Sequence, residues 1–175
     1  RAGERRAVLM ISPAADPDHH RCLAINSFLY DRGLGAPAVL AQDPATRSVL
    51  FEDLGDDTLQ RLVARHPDRA AGYYDQVLDR LADLQTFGAE ARHRCPLTHD
   101  RAFDREHLRW ETSYFQQRFL HELCGEDPAD LATLGPEFDA LATAALAQPA
   151  TLVHRDFQSQ NILLKDGMVR LVDVQ

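Results

Sequence analysis

Residues 151–175 read TLVHRDFQSQNILLKDGMVRLVDVQ and hold two β-prone runs, Ile162-Leu163-Leu164 and Val169-Arg170-Leu171-Val172, on either side of Lys165-Asp166-Gly167-Met168. Asp-Gly is favoured at the two central positions of a tight hairpin because both require a left-handed backbone. With Asp166 and Gly167 in those positions, Lys165 pairs with Met168, Asn161 falls opposite Val172 and Gln160 opposite Asp173. Asn161 and Asp173 then become diagonal neighbours, with Cβ atoms roughly 5 to 8 Å apart. A one-residue slip leaves both at the same end, and the loop from His154 to Gln160 delivers Asp156 there too.

An Asn oxygen and an Asp carboxylate are hard ligands suited to Mg²⁺, which keeps several waters and takes its remaining ligands from substrate phosphates. A second Asp nearby can accept the proton of an attacking hydroxyl, and together these are the working parts of phosphoryl transfer. Taken singly, Asp156 also reads as a turn-capping loop residue, Asn161 as a strand-edge residue and Asp173 as a strand-terminating carboxylate. Their joint spacing favours the catalytic reading.

His154-Arg155-Asp156, with Asn161 five positions after the Asp and a hairpin ending on Asp173, resembles the H-R-D-x-x-x-x-N catalytic loop and metal loop of kinases. The wording HRDFQSQNIL, with V-D-V-Q where protein kinases have D-F-G, is more similar to the aminoglycoside phosphotransferase and choline kinase group. Within that group the chain most resembles bacterial sugar kinases that phosphorylate N-acetylmuramate or N-acetylglucosamine at the anomeric position. Phe51-Glu52-Asp53-Leu54-Gly55, at a hinge-like place upstream, strengthens the resemblance.

The 175 residues are 45% hydrophobic and 26% charged, enough for a real core in one domain or two small lobes. A net charge of −8 argues against nucleic-acid or acidic-membrane surfaces, which need basic patches. Cys22, Cys95 and Cys124 are scattered and odd in number, so no disulfide framework or zinc knuckle is indicated and a cytoplasmic location fits. No apolar run approaches the ~18 residues of a membrane span. With no Met at position 1 and a last residue two beyond Asp173, the sequence is expected to be a segment of a longer protein, inactive by itself and monomeric.

Along the chain, Arg6–Ile11 reads as a strand. Asp16-Pro17 then starts a helix carrying Cys22, Ile25, Phe28 and Leu29, which Gly33 stops. Residues 38–41 and 48–51 form a strand pair around Asp43-Pro44-Ala45-Thr46. After Gly55 no strand is expected before residue 151. Helices are expected over Thr58–Arg65, Arg69–Phe87, from Asp104 to Gly125 and over Leu131–Ala147, with a polar loop at Gly88–Phe103. In the third of these, Leu108, Thr112, Phe115, Phe119 and Leu123 form the predicted inward stripe.

The resemblance implies an α+β, protein-kinase-like two-lobe fold truncated at both ends: residues 1–55 a partial sheet lobe with one helix and the hinge, residues 56–175 a helical lobe with the catalytic loop and metal hairpin. It implies ATP and Mg²⁺ as cofactors and a small-molecule acceptor, an amino sugar or amino alcohol. Carried over residue by residue, Asp156 is the catalytic base, Asn161 and Asp173 hold the metal, and backbone groups near Glu52, Asp53 and Leu54 meet the adenine. Arg155 guides an anionic substrate or pairs with a carboxylate. Glu111, beside the helix stripe, faces a sugar or an amine, or solvent. His154 packs behind the metal loop.

Two parts of the kinase pattern are missing. The glycine-rich strand pair is represented only by Gly3, and the strand at Ala7–Ile11 carries no lysine, leaving Arg5 and Arg6 as nearby cations. Rival readings are a kinase of the same fold acting on choline, homoserine or an aminoglycoside, and a non-catalytic, pseudokinase-like binding protein.

Overall fold

The computed structural model describes residues 6–99 and 101–174; Gly3, Arg5 and Gln175, named above, lie outside them. By compactness the chain forms two units, Arg1–Asp100 with Thr151–Gln175, and Arg101–Ala150. The lobe limit placed at residue 55 follows sheet and helix content instead and falls inside the first unit.

In the first unit, β1 (Ala7–Ile11), β2 (Val39–Asp43) and β3 (Ser48–Glu52) form an antiparallel sheet in the order β1-β3-β2, with Ala7 opposite Glu52 and Ile11 opposite Ser48. Asp43 closes the β2–β3 turn by accepting the Ala45 N–H at 3.0 Å and the Thr46 hydroxyl at 2.8 Å. Helix α1 (His19–Asp31) begins later than Asp16-Pro17 suggests. Asp16 Oδ1 accepts the Asp18 N–H at 2.9 Å, so the Asp-Pro pair makes a turn ahead of the helix rather than its cap. Ile25, Phe28 and Leu29 are buried as expected, in a core shared with Leu34, Ala36, Leu84, Ala91 and Cys95.

Helix α2 (Leu59–Arg65) starts on Thr58, whose side chain accepts the Arg61 N–H. Helix α3 (Ala70–Arg94) runs well past the predicted end at Phe87, and Gly88 lies inside it. Leu84 and Ala91, flanking that glycine, sit in one core, and their burial outweighs the ~1 kcal/mol helix penalty of glycine. A Cβ at Gly88 would approach the Leu152 nitrogen to 2.6 Å, so the glycine admits the segment leading into the 154–160 loop.

Strands β4 (Ile162–Lys165) and β5 (Met168–Leu171) pair in the predicted register, Lys165 with Met168 and Ile162 with Leu171. Asp166 (φ 52°) and Gly167 (φ 75°) both take the left-handed conformation that the two-residue turn demands. Ile162, Val169 and Leu171 bury against Leu59 of α2 and Val77 of α3.

In the second unit, Asp104 caps α4 (Arg105–Phe115) by accepting the His107 N–H at 2.8 Å. The helix continues as a π-helix over Gln116–Leu123, ending before Gly125 at φ 78°. The predicted inward stripe is not observed: Phe115, Phe119 and Leu123 are exposed, the last by 74%. The half-buried positions are His107, Leu108, Arg109, Thr112, Gln116, Leu120 and His121, and the i→i+5 turns after Phe115 break the 3.6-residue period. The helix expected over Leu131–Ala147 is likewise divided, into α5 (Pro128–Leu131), a 3₁₀ turn and α6 (Gly135–Leu146), with Pro136 in the first turn of α6.

Candidate active site

The mouth of the β4–β5 hairpin brings Asp156 and Asn161 together. Asn161 Nδ2 donates to Asp156 Oδ2 at 2.8 Å and to the Asp156 carbonyl at 3.1 Å. Gln158 Nε2 donates to the same carboxylate oxygen at 3.0 Å. Two amides thus orient the carboxylate through one oxygen, and Asp156 Oδ1 and Asn161 Oδ1 carry no hydrogen bond among the described residues. Those are two unengaged hard oxygens on adjacent side chains, a donor set that fits a magnesium-bound phosphate and an incoming hydroxyl. Among the described residues no group of three or more His, Cys, Asp and Glu side chains is arranged to hold a metal. Magnesium does not need one, since waters and substrate oxygens complete its shell.

Strand pairing ends where Val172 donates its N–H to the Asn161 carbonyl at 3.0 Å. Asp173, the next residue, is exposed and takes φ 59°, so it turns out of the strand rather than continuing the diagonal pairing expected for it. Arg155, exposed at φ 71°, is also left-handed. Non-glycine residues in this region cost of order 1–3 kcal/mol and gather at ligand sites; here two flank the Asp156–Asn161 pair.

His154 is 3% exposed, packs edge-on against Phe157 with ring centroids 5.8 Å apart, and has no hydrogen-bond partner for either ring nitrogen among the described residues. Burial lowers its basicity; the nearby Asp173 carboxylate, the Val172 backbone and the Asp156 carboxylate oppose that effect.

Other segments of the same unit fasten the loop and β4. Ser159 accepts the Gln60 N–H at 3.1 Å, Asp57 accepts the Leu164 N–H at 3.0 Å, and Thr58 forms a β-bridge with Leu163. Thr151 donates its hydroxyl to Gln85 of α3 at 2.9 Å.

At the hinge-like segment, the Glu52 N–H donates to the Ala38 carbonyl at 2.9 Å, and Lys165 Nζ donates to the Asp53 carbonyl at 2.7 Å. Asp53 Oδ1 takes the Gly55 N–H at 2.8 Å. The backbone groups left without hydrogen bonds among the described residues are the Asp53 N–H and the N–H and carbonyl of buried Leu54. The Glu52 side chain is taken up by Lys165 (3.0 Å) and Arg170 (2.6 Å), and the Arg170 hydrogen bond leads in holding its carboxyl down at about 2.

Glu111 lies in the second unit, exposed and 3.5 Å from His107 one helical turn earlier. Sequence reasoning did not reach Gln158, Lys165, Arg170 or Gly35. The available signal was that Lys165 is the single lysine of the chain.

A carboxylate oriented by a carboxamide five residues on, at the mouth of a hairpin braced by helices, defines the class. The chain belongs to the phosphotransferase enzyme family, whose model matches residues 1–173. Among curated proteins it is 30% identical over 99% of its length to the N-acetylmuramate/N-acetylglucosamine kinase of Pseudomonas aeruginosa, covering 49% of that protein. The kinase of the same name from Pseudomonas putida is 28% identical over 96% of the chain and 48% of the relative, and that from Caulobacter vibrioides 28% identical over 85% and 42%. The chain spans about half the length of the curated relatives it matches. No helix among the described residues is long and apolar enough to cross a membrane.

Proposed function

We propose that this chain supplies the catalytic corner of a small-molecule kinase of protein-kinase-like, two-lobe architecture. The kinase moves the γ-phosphate of ATP to a hydroxyl of an amino sugar of the N-acetylmuramate or N-acetylglucosamine type. The observation that carries the reading is the Asp156–Asn161 pair at 2.8 Å, which leaves one oxygen on each side chain unengaged. The names of the three relatives support the acceptor class.

Asp156 Oδ1 accepts the proton of the acceptor hydroxyl as its oxygen attacks phosphorus. Asn161 and Gln158, bonded to Oδ2, keep Oδ1 turned outward. Asn161 Oδ1 and the Asp173 carboxylate are the oxygens that would hold Mg²⁺, which when bound neutralises charge on the β- and γ-phosphates. Free backbone groups of Asp53 and Leu54 meet the adenine edge. His154, buried and of lowered basicity, supports this corner and leaves the base role to Asp156.

One observation favours a second reading, a nucleotide-binding protein without catalysis. β1 carries no lysine and Lys165 is engaged by Glu52 and Asp53, so the usual lysine for the α- and β-phosphates has no counterpart among the described residues.

The test, run on the whole protein that carries this chain, is an ADP-release assay with ATP and Mg²⁺ against amino sugars, choline and aminoglycosides. ATP-induced thermal stabilisation is followed in parallel for the wild type and Asp173→Ala. Turnover with an amino sugar, and stabilisation that needs Mg²⁺ and disappears in Asp173→Ala, is the expected result. Stabilisation without turnover on any acceptor selects the binding protein, and no magnesium-dependent stabilisation at all removes both readings.

A further inference from the structure

The β4–β5 hairpin is bolted to the hinge segment by a charge cluster that runs from Lys165, beside the turn, to Arg170, which pairs with Leu163 along the arm. Lys165 Nζ reaches Glu52 Oε1 at 3.0 Å and the Asp53 carbonyl at 2.7 Å. Arg170 approaches the same carboxylate twice, at 3.3 and 2.6 Å, and donates to the carbonyls of Gly35 (3.1 Å) and Ala36 (3.2 Å). Glu52 Oε2 also accepts the Ala38 N–H at 3.3 Å. The side chains are largely shielded: Arg170 is 12% exposed, Glu52 25% and Lys165 31%. One carboxylate thus joins β3, the segment entering β2, β4 and β5.

The placement matters more than the strength. A hairpin arm of four residues spans ~13 Å at the usual rise, which is the scale of a nucleoside triphosphate from base to terminal phosphate. The hairpin carries the proposed phosphate and metal ligands at its mouth and grips the proposed base-binding segment through Lys165 at its turn and Arg170 along the arm. We infer that Lys165, with Arg170 and Glu52, is a positioning residue that fixes the spacing between the base-binding hinge and the metal-binding corner, so that one nucleotide meets both at once. A ligand that touches both ends gains from a fixed spacing, because the geometry it needs is already paid for; a ligand touching one end does not. Lys165 also occupies the Asp53 carbonyl, which removes that acceptor from base recognition and leaves Leu54 to supply it.

This inference rests on the nucleotide reading above, and its test separates the two. Dissociation constants for Mg-ATP and for adenosine are measured on the protein and on Lys165→Met, with thermal melting as a folding check. In Lys165→Met, Mg-ATP should weaken about tenfold and adenosine less than about threefold, since only the bridging ligand depends on the spacing. Lys165→Arg, which restores a donor for Glu52, should recover most of the Mg-ATP affinity and stands in if the Met variant does not fold. Unchanged Mg-ATP binding in a folded Lys165→Met, or equal weakening of both ligands, overturns the spacer role while the nucleotide reading stands. Wild-type protein that binds no Mg-ATP overturns the nucleotide reading itself.

Discussion

The two ends of the β4–β5 hairpin are built on opposite terms. At the turn end the polar groups find partners: Lys165 and Arg170 converge on Glu52, and Asp166-Gly167 adopt the turn that such a pair prefers. At the mouth, Asp156 and Asn161 each keep an oxygen, and His154 two buried nitrogens, without a hydrogen bond among the described residues, and Arg155 and Asp173 sit in left-handed backbone. Buried polar groups are ordinarily satisfied, and the His154 ring is the exception here, while the open oxygens beside it belong to half-buried side chains. The satisfied end anchors the hairpin, and the other end is where the proposed site lies.

The contrast breaks most sharply at Asp156. Asp156→Asn keeps an oxygen to accept the amides of Asn161 and Gln158, so folding should be unaffected, yet the proton acceptor is gone. Turnover should fall by on the order of 10² to 10⁴ with nucleotide affinity nearly unchanged. Steady-state kinetics beside nucleotide titration checks this, and full activity would remove Asp156 from the base role.

The reverse experiment attacks stability from behind β5. Gly35 has φ 93°, and a Cβ there would stand 2.8 Å from the Val169 carbonyl on β5. Gly35 also accepts the Leu171 N–H at 2.9 Å, so the strand cannot move off without losing that bond. Gly35→Ala should cost about 1–3 kcal/mol in urea denaturation. Gly33→Ala, at φ 67° with open space around it, should cost less, about 1 kcal/mol. Equal losses would show that backbone strain alone, not the approach of β5, matters at Gly35.

The same contrast sets what the sequence could disclose. The hairpin register, its turn and the meeting of Asp156 with Asn161 were legible because they depend on residues within a few positions of one another: Asp-Gly admits one kind of turn, and period-two pairing does the rest. The Glu52 cluster was not legible, since its partners lie 113 and 118 residues away along the chain. The extension of α3 through Gly88 was missed because a segment distant in sequence, Thr151-Leu152, packs on that glycine. The stripe on α4 failed in two places: Phe115, the last residue of α4, is already exposed before the π-helix begins, and the 3.6-residue period projected through the π turns leaves Phe119 and Leu123 exposed as well. Nor was it legible which backbone groups of the Glu52–Leu54 segment Lys165 and Ala38 would occupy.

The smallest effect, and the one that sharpens the comparison furthest, is an acid titration of the turn end. The Arg170 hydrogen bond, aided by Lys165 and the Ala38 N–H, holds the Glu52 carboxyl at about 2, below its ordinary 4.5. A carboxyl depressed by folding stabilises the folded state above its unfolded value, and that contribution fades as pH falls from about 4.5 toward about 2. Its size is moderated by solvent at a side chain 25% exposed, so it should fall below the loss in Gly35→Ala. Denaturation midpoints between pH 5 and pH 2 should drop more steeply for the wild type than for Glu52→Gln, which has no proton to gain there. The difference between the two curves isolates Glu52 from other carboxylates such as Asp43, whose pKa is lowered first by the Thr46 hydroxyl. Parallel curves would mean that Lys165 and Arg170 hold the hairpin through the carbonyls of Asp53, Gly35 and Ala36 rather than through the carboxylate, and the satisfied end would then owe its rigidity to neutral acceptors.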